Sequence, residues 1–180
     1  KHECFTTNVR FTVKRGQDLN TAAKILLFEY GGDLRETTKN MLDEFVSSSA
    51  RKAKEKLELV GRRVVDILND MTEIFLPRGD LLTSGGIFPV YYWLVRSRHE
   101  DDYPVLRKFL VRFQEERRRN RELSVANPKS GAIDRKLLNY DRYNRSTNDQ
   151  QSHLGRFEIL TAKLEYFRSV SRRPKKKEPK

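Results

Sequence analysis

The stretch "LELVGRRVVDILNDMTEIF", residues 57–75, decides the fold. Leu57, Val60, Val64, Ile67, Leu68, Met71 and Phe75 fall within about 100° of arc when each residue is turned by about 100° from the last. That periodicity predicts one long amphipathic helix over about 50–75, with a single apolar stripe and charge around it. Pro77 and Gly79 end it.

The same periodicity continues on both sides. "IFPVYYWLVR" (87–96) is apolar all round, which predicts a central, buried helix. Asp102 and Pro104 open the next helix, over 104–123. "AIDRKLLNYDRY" makes a short helix, and 152–169 a last one with Phe157, Leu160, Leu164 and Phe167 on one stripe. Toward the N-terminus, Asp18 or Asn20 caps a helix that Gly31-Gly32 stop, and Asp33 opens another carrying Leu34, Thr38, Met41, Leu42 and Phe45. Residues 5–13 alternate loosely, so they form a short strand or an extended lead-in. The expected fold is all-α: an irregular bundle of about seven helices, with room for one short N-terminal strand. The expected organisation is an extended lead-in over 1–17, following a missing N-terminal domain. A helical domain over 18–169 and a disordered basic tail over 170–180 come after it.

Composition narrows the function. Lys and Arg number 37 against 25 Asp and Glu, a formal net charge of +12 over 180 residues. A chain this basic favours nucleic acid or an anionic surface as partner. One cysteine, Cys4, excludes an internal disulfide, so a reducing, cytoplasmic setting is expected. The most apolar run, 85–95, is far shorter than the roughly 18 residues a membrane span needs, so no membrane role is expected. His2, His99 and His153 are far apart and give no metal-ligand spacing. "RHEDD" (98–102) reads as a basic helix end followed by acidic capping residues. No phosphate-binding glycine loop, nucleophile elbow or nucleophile–base pair occurs. Neither a catalytic residue nor a cofactor or metal is therefore expected in this chain.

The basic residues fall into two sets. In "RFQEERRRNREL" (112–123), Arg112 and Glu116, Glu115 and Arg119, and Arg118 and Glu122 are each four apart and can pair along the helix. Arg117 and Asn120 instead lie on the forward course of the apolar stripe Leu106–Phe109–Leu110–Phe113, with Arg121 at its edge. Polar groups there must be satisfied internally or face a partner. The expected internal set is Arg117, Asn120, Asp141, Arg142, Asn148, Asp149 and Arg156, with Asp141 the natural partner of an arginine. The expected phosphate-contacting set is Lys52, Arg62, Arg63, Arg118, Arg119 and Arg121, joined by Arg172, Arg173, Lys175 and Lys176 of the tail. If these merge into one basic face, nucleic-acid binding is favoured. If carboxylates such as Glu55, Glu58, Glu115 and Glu116 interrupt it, docking is favoured.

A family resemblance enters at "RFQEERRRNREL…LLNYDRYNRSTNDQQSHLGRFEIL". Arg118, Asn120 and Arg121, then Leu138, Tyr140, Asp141 and Arg142, then Asn148 and Asp149, and Arg156 at the start of the last helix carry it, together with "GGIFPVYYWLVR". Residues 57–167 resemble the C-terminal helical region of GmrSD-type proteins, which have a ParB-like nuclease fold and occur in prokaryotic defence loci. The Asp-Gly-Gln-Gln-Arg motif of that family's catalytic half is absent: "NDQQSH" (148–153) lacks the Gly and the adjoining Arg. The resemblance therefore implies the non-catalytic half of an anti-phage, restriction-like effector whose full-length form is a nucleotide-dependent nuclease. That half binds nucleic acid, with DNA the expected kind. The alternative is a structural helical module that docks on the missing N-terminal domain, on a partner subunit or on a second copy of itself, without touching nucleic acid.

Overall fold

The structure is a computed structural model that describes residues 2–12, 16–49 and 53–171. Seven α-helices carry the described chain: α1 Gln17–Gly31, α2 Lys39–Ser47, α3 Lys54–Ile74, α4 Phe88–Arg96, α5 Tyr103–Ala126, α6 Arg135–Tyr143 and α7 Gln150–Ser171. No strand occurs among the described residues, and the fold is an all-α bundle. No helix among them is long and apolar enough to cross a membrane.

α4 is the centre, because every residue from Phe88 to Val95 is buried. It packs against α1, α3 and α7. α3 turns Val60, Val64, Ile67, Leu68, Met71 and Ile74 inward. At about 1.5–3 kcal/mol for each large apolar side chain taken out of water, α4 and the α3 stripe supply much of the driving force. α5, α6 and α7 close the other side of the core through Phe109, Phe113, Tyr140, Leu160 and Leu164.

Two expectations are corrected at the N-terminus. Cys4–Asn8 form a single π-helical turn rather than a strand or an extended lead-in. The turn satisfies itself, Val9 N–H donating to the Cys4 carbonyl at 3.2 Å. It buries Cys4, Phe5 and Val9, with Phe5 stacked on Phe88 at 5.0 Å. Asn8 explains the choice: its amide donates to the carbonyls of Thr72 (3.3 Å) and Phe75 (2.5 Å), capping the open end of α3. Residues 4–9 thus belong to the core.

Asp33 does not open α2, which starts six residues later. Gly32, at φ 78°, ends α1 with its N–H on the Phe28 carbonyl. Residues 34–38 then run without regular structure across the bundle. Leu34 is buried, and the Thr37 N–H donates to the Asn148 carbonyl at 2.8 Å. A tertiary hydrogen bond has replaced the first helical turn. Thr38 precedes α2 in an extended conformation instead.

Candidate anion-binding surface

α5, α6 and α7 meet around Arg117 and Asp141. Arg117 is buried, and its Nε donates to Asp141 Oδ1 at 2.9 Å, with Nη2 reaching the same oxygen. Its Nη1 donates to Gln114 Oε1 at 2.6 Å, and Gln114 in turn donates to the buried Tyr91 hydroxyl at 2.6 Å. The guanidinium also sits over the Tyr140 ring, 4.4 Å from its centroid. Arg121 reaches the other oxygen of Asp141 at 3.2 Å. Asn120 makes a two-way pair with the backbone of Asp134, donating to its carbonyl (2.9 Å) and accepting from its N–H (2.8 Å). Asp134 caps α6 through the N–H groups of Lys136 (2.8 Å) and Leu137 (3.2 Å), and its carboxylate also takes Lys163 of α7. Burial alone would raise the Asp134 pKa, but the Lys163 ammonium and these amides outweigh it and hold the carboxyl below its ordinary value.

Arg156 of α7 is also buried, but it does not join that cluster. It donates to the carbonyls of Ser152 (3.0 Å) and Gly86 (2.7 Å), to Asn144 Oδ1 (3.4 Å) and toward His153 Nδ1 (3.1 Å). It has no carboxylate partner among the described residues, so four neutral acceptors carry the charge. Burial pushes the His153 pKa down to about 3, with Arg156 and Lys24 adding repulsion, so the ring is neutral. Thr37 Oγ1 lies 3.1 Å from the other ring nitrogen. Asn148 stands at the edge of this group, its Oδ1 taking Lys24 at 2.7 Å. Two residues of the expected internal set are not in it. Arg142 is exposed and lies over the Tyr143 ring, and Asp149 is exposed, because both sit on the outer side of the chain as it turns from α6 into α7.

Among the described residues, Arg62, Arg63, Arg118, Arg119 and Arg121 of the expected phosphate-contacting set are interrupted by carboxylates, the outcome that favours docking over nucleic acid for α3 and α5. Lys52, Arg172, Arg173, Lys175 and Lys176 lie outside the described residues. On α5, Arg118 pairs with Glu122 at 2.7 Å, Arg119 with Glu115, and Arg112 with Glu116 at 2.8 Å, so these three arginines are neutralised along the helix. Arg121 is spent on Asp141. On α3, Arg63 faces the buried Glu29 at 3.9 Å, and Lys54 faces Glu58 at 3.8 Å. Arg62 is exposed and makes no ion pair among the described residues, but the exposed Glu58 and Asp66 line the same shallow cavity.

A longer run of positive charge without carboxylate partners lies on α6 and its flanks. Between residues 123 and 148 the only acids are Asp134 and Asp141, against Lys129, Arg135, Lys136, Arg142 and Arg145. Both acids are turned into the α5–α6–α7 junction, while all five cations are exposed and none makes an ion pair among the described residues. Arg135, Asn139 and Arg142 fall within about 60° of arc on the outer face of α6. At about 1.5 Å of rise per residue, Arg135 and Arg142 are roughly 10 Å apart along the axis, too far to serve one phosphate group. Beside this face, Lys129, Ser130, Gly131 and Ile133 of the preceding loop, with Arg135 and Asn139, line an open cavity of about 930 Å³. The arrangement can hold anionic groups in a row and offers hydroxyl and amide donors next to them.

Sequence reasoning placed the cations of α6 inside, or passed over them, because α6 is short and its acids look like local partners. The available signal was the cap: an Asp directly before a helix is engaged by its own amides, which removes Asp134 from the surface. No family model, curated protein or solved structure matches this chain.

Proposed function

We propose that this chain is the helical, nucleic-acid-binding half of a prokaryotic anti-phage, restriction-like defence effector of the cytoplasm. In this reading it grips the phosphate backbone, of DNA in the first instance, through α6 and the loop before it. The observation that carries the reading is α6 with its flanks, where Arg135, Lys136 and Arg142 of the helix, Lys129 before it and Arg145 after it are exposed without carboxylate partners among the described residues, because both local acids are engaged at the helix junction. Unscreened cations on one face focus a positive field, which raises both encounter rate and affinity for a polyanion. The resemblance of residues 57–167 to the C-terminal region of GmrSD-type proteins supports the defence setting. Catalysis would then belong to the ParB-like half, since this chain carries no catalytic motif.

Fluorescence anisotropy with a 20-base-pair duplex at several salt concentrations tests this. The protein is expected to bind with little sequence preference and to weaken steeply with salt. Changing Arg135, Lys136 and Arg142 together to Ala removes up to three phosphate contacts. The slope of log K against log salt should then fall by about 2–3. An unchanged slope, with the variant folded, would refute α6 as the contact face. No binding at low salt would refute nucleic-acid contact altogether and leave docking as the function.

A further inference from the structure

We propose that the cavity beside α6 receives an unpaired nucleobase, so that the chain prefers DNA with a single-stranded stretch to fully paired DNA; this rests on the phosphate-gripping reading of α6 given above. The cavity, of about 930 Å³, is lined by the end of α5, the loop after it and α6. Its walls combine two chemistries. Pro128, Ile133 and Leu138 make an apolar lining, the last two of them half-buried. Polar groups with unused capacity stand among them. The exposed Asn139 side chain makes no hydrogen bond among the described residues. The Ser130 hydroxyl accepts from the Ala132 N–H at 3.2 Å and keeps its own proton to donate. Gly131 adds room: nothing lies within 4 Å of the place a Cβ would take, and its φ is not positive.

Charge and shape choose the occupant together. No carboxylate lines the cavity, while Lys129 and Arg135 do, both exposed and without an ion pair among the described residues. The acids nearest in sequence are each paired with a cation: Glu122 with Arg118, Asp134 with Lys163, and Asp141 with Arg117 and Arg121. A phosphate alone would meet the cations and leave the apolar lining wet. A nucleobase has two apolar faces, an edge of donors and acceptors, and a phosphate on either side of its sugar. Ile133, Leu138 and Pro128 answer the faces, and Asn139 and Ser130 answer the edge. Arg135 belongs both to the cavity and to the outer face of α6, so it holds the adjoining phosphate. In a paired duplex the base faces are stacked inside and cannot reach this lining.

The test uses one fluorescein-labelled 20-base-pair duplex with either a five-thymidine overhang or an overhang of five abasic nucleotides, which carries the same phosphates without the bases. The thymidine form is expected to bind at least about fivefold more tightly. That ratio should persist as salt is raised, because uncharged contacts release no counterions. Gly131→Leu fills the cavity without changing charge and should bring the ratio close to one, with far-ultraviolet circular dichroism unchanged. Should that variant fail to fold, Asn139→Ala, on an exposed helix face, decides instead and should at least halve the ratio. Equal affinity for the two overhangs would overturn this proposal and leave the phosphate grip of α6 standing. No binding of either form at low salt would overturn both. A thymidine preference kept in full by the folded Gly131→Leu variant, or by Asn139→Ala in its place, would also overturn the proposal, since the base would then lie elsewhere.

Discussion

Changing Asp141 to Ala removes the acceptor that both Arg117 and Arg121 use. The cost follows from what remains. Arg117 is 5% exposed in its side chain and keeps Gln114 at 2.6 Å and the rings of Tyr140 and Phe113, none of them charged. Stripping one partner from a buried pair costs about 3–5 kcal/mol, because the other charge stays buried and unmatched. Asp141 itself is 18% exposed, so water can enter the space it leaves. The loss should therefore fall at the lower end, about 3 kcal/mol. For a chain of this size that lowers the melting temperature by about 6–12 °C. Urea unfolding followed by Trp93 fluorescence and by circular dichroism measures it. Arg121→Ala removes only the half-exposed contact and should cost less than about 1 kcal/mol. Replacing both members, Arg117→Met with Asp141→Leu, should recover most of the loss. A cost below about 1 kcal/mol for Asp141→Ala would refute the view that this carboxylate holds the junction.

Three further outcomes follow from single sites. His153 has a folded pKa of about 3, below its unfolded value near 6.5, so its contribution is fully present above pH 6.5 and is lost as pH falls toward 3. Stability should drop by up to about 1.4 kcal/mol per pH unit in that window, and a His153→Gln variant should show a flatter pH profile in urea titrations. Gly61 lies in the interior of α3 with open space where a Cβ would go, so Gly61→Ala should raise stability by about 0.8–1 kcal/mol, read from the urea midpoint. Burial pushes the Cys4 thiol up to about 12, so it should resist thiol reagents in the native protein and react on unfolding; rapid labelling at neutral pH would contradict its place in the core.

Helix existence was legible because it rests on periodicity, and α3, α4, α5 and α7 have long or uninterrupted patterns. What was not legible rests on contacts between distant residues. The start of α2 depends on Thr37 meeting Asn148, more than a hundred positions away. The π-helical turn depends on Asn8 finding the end of α3. Arg117 was readable as an inward charge because it interrupts an apolar stripe, and Asp141 was the nearest acid of suitable reach. Arg142, one residue further on, is turned outward by about 100° of helix, and no pattern in so short a helix distinguishes the two.

That one-residue difference organises the surface as well as the core. Asp134 and Asp141 are both placed where α6 must be tied to α5 and α7, and each carboxylate is taken up there by cations of those helices. Their charge is thereby cancelled inside the junction. Lys129, Arg135, Lys136, Arg142 and Arg145 keep theirs on the other side of the same segment. A helix with nearly alternating signs in sequence becomes one-signed at its surface without any excess of basic residues beyond its neighbours. α5 shows the converse, since it has more arginines but its glutamates stand four residues away on the same exposed face. The field available to a polyanion is set by where the acids point, and at α6 both point into the junction.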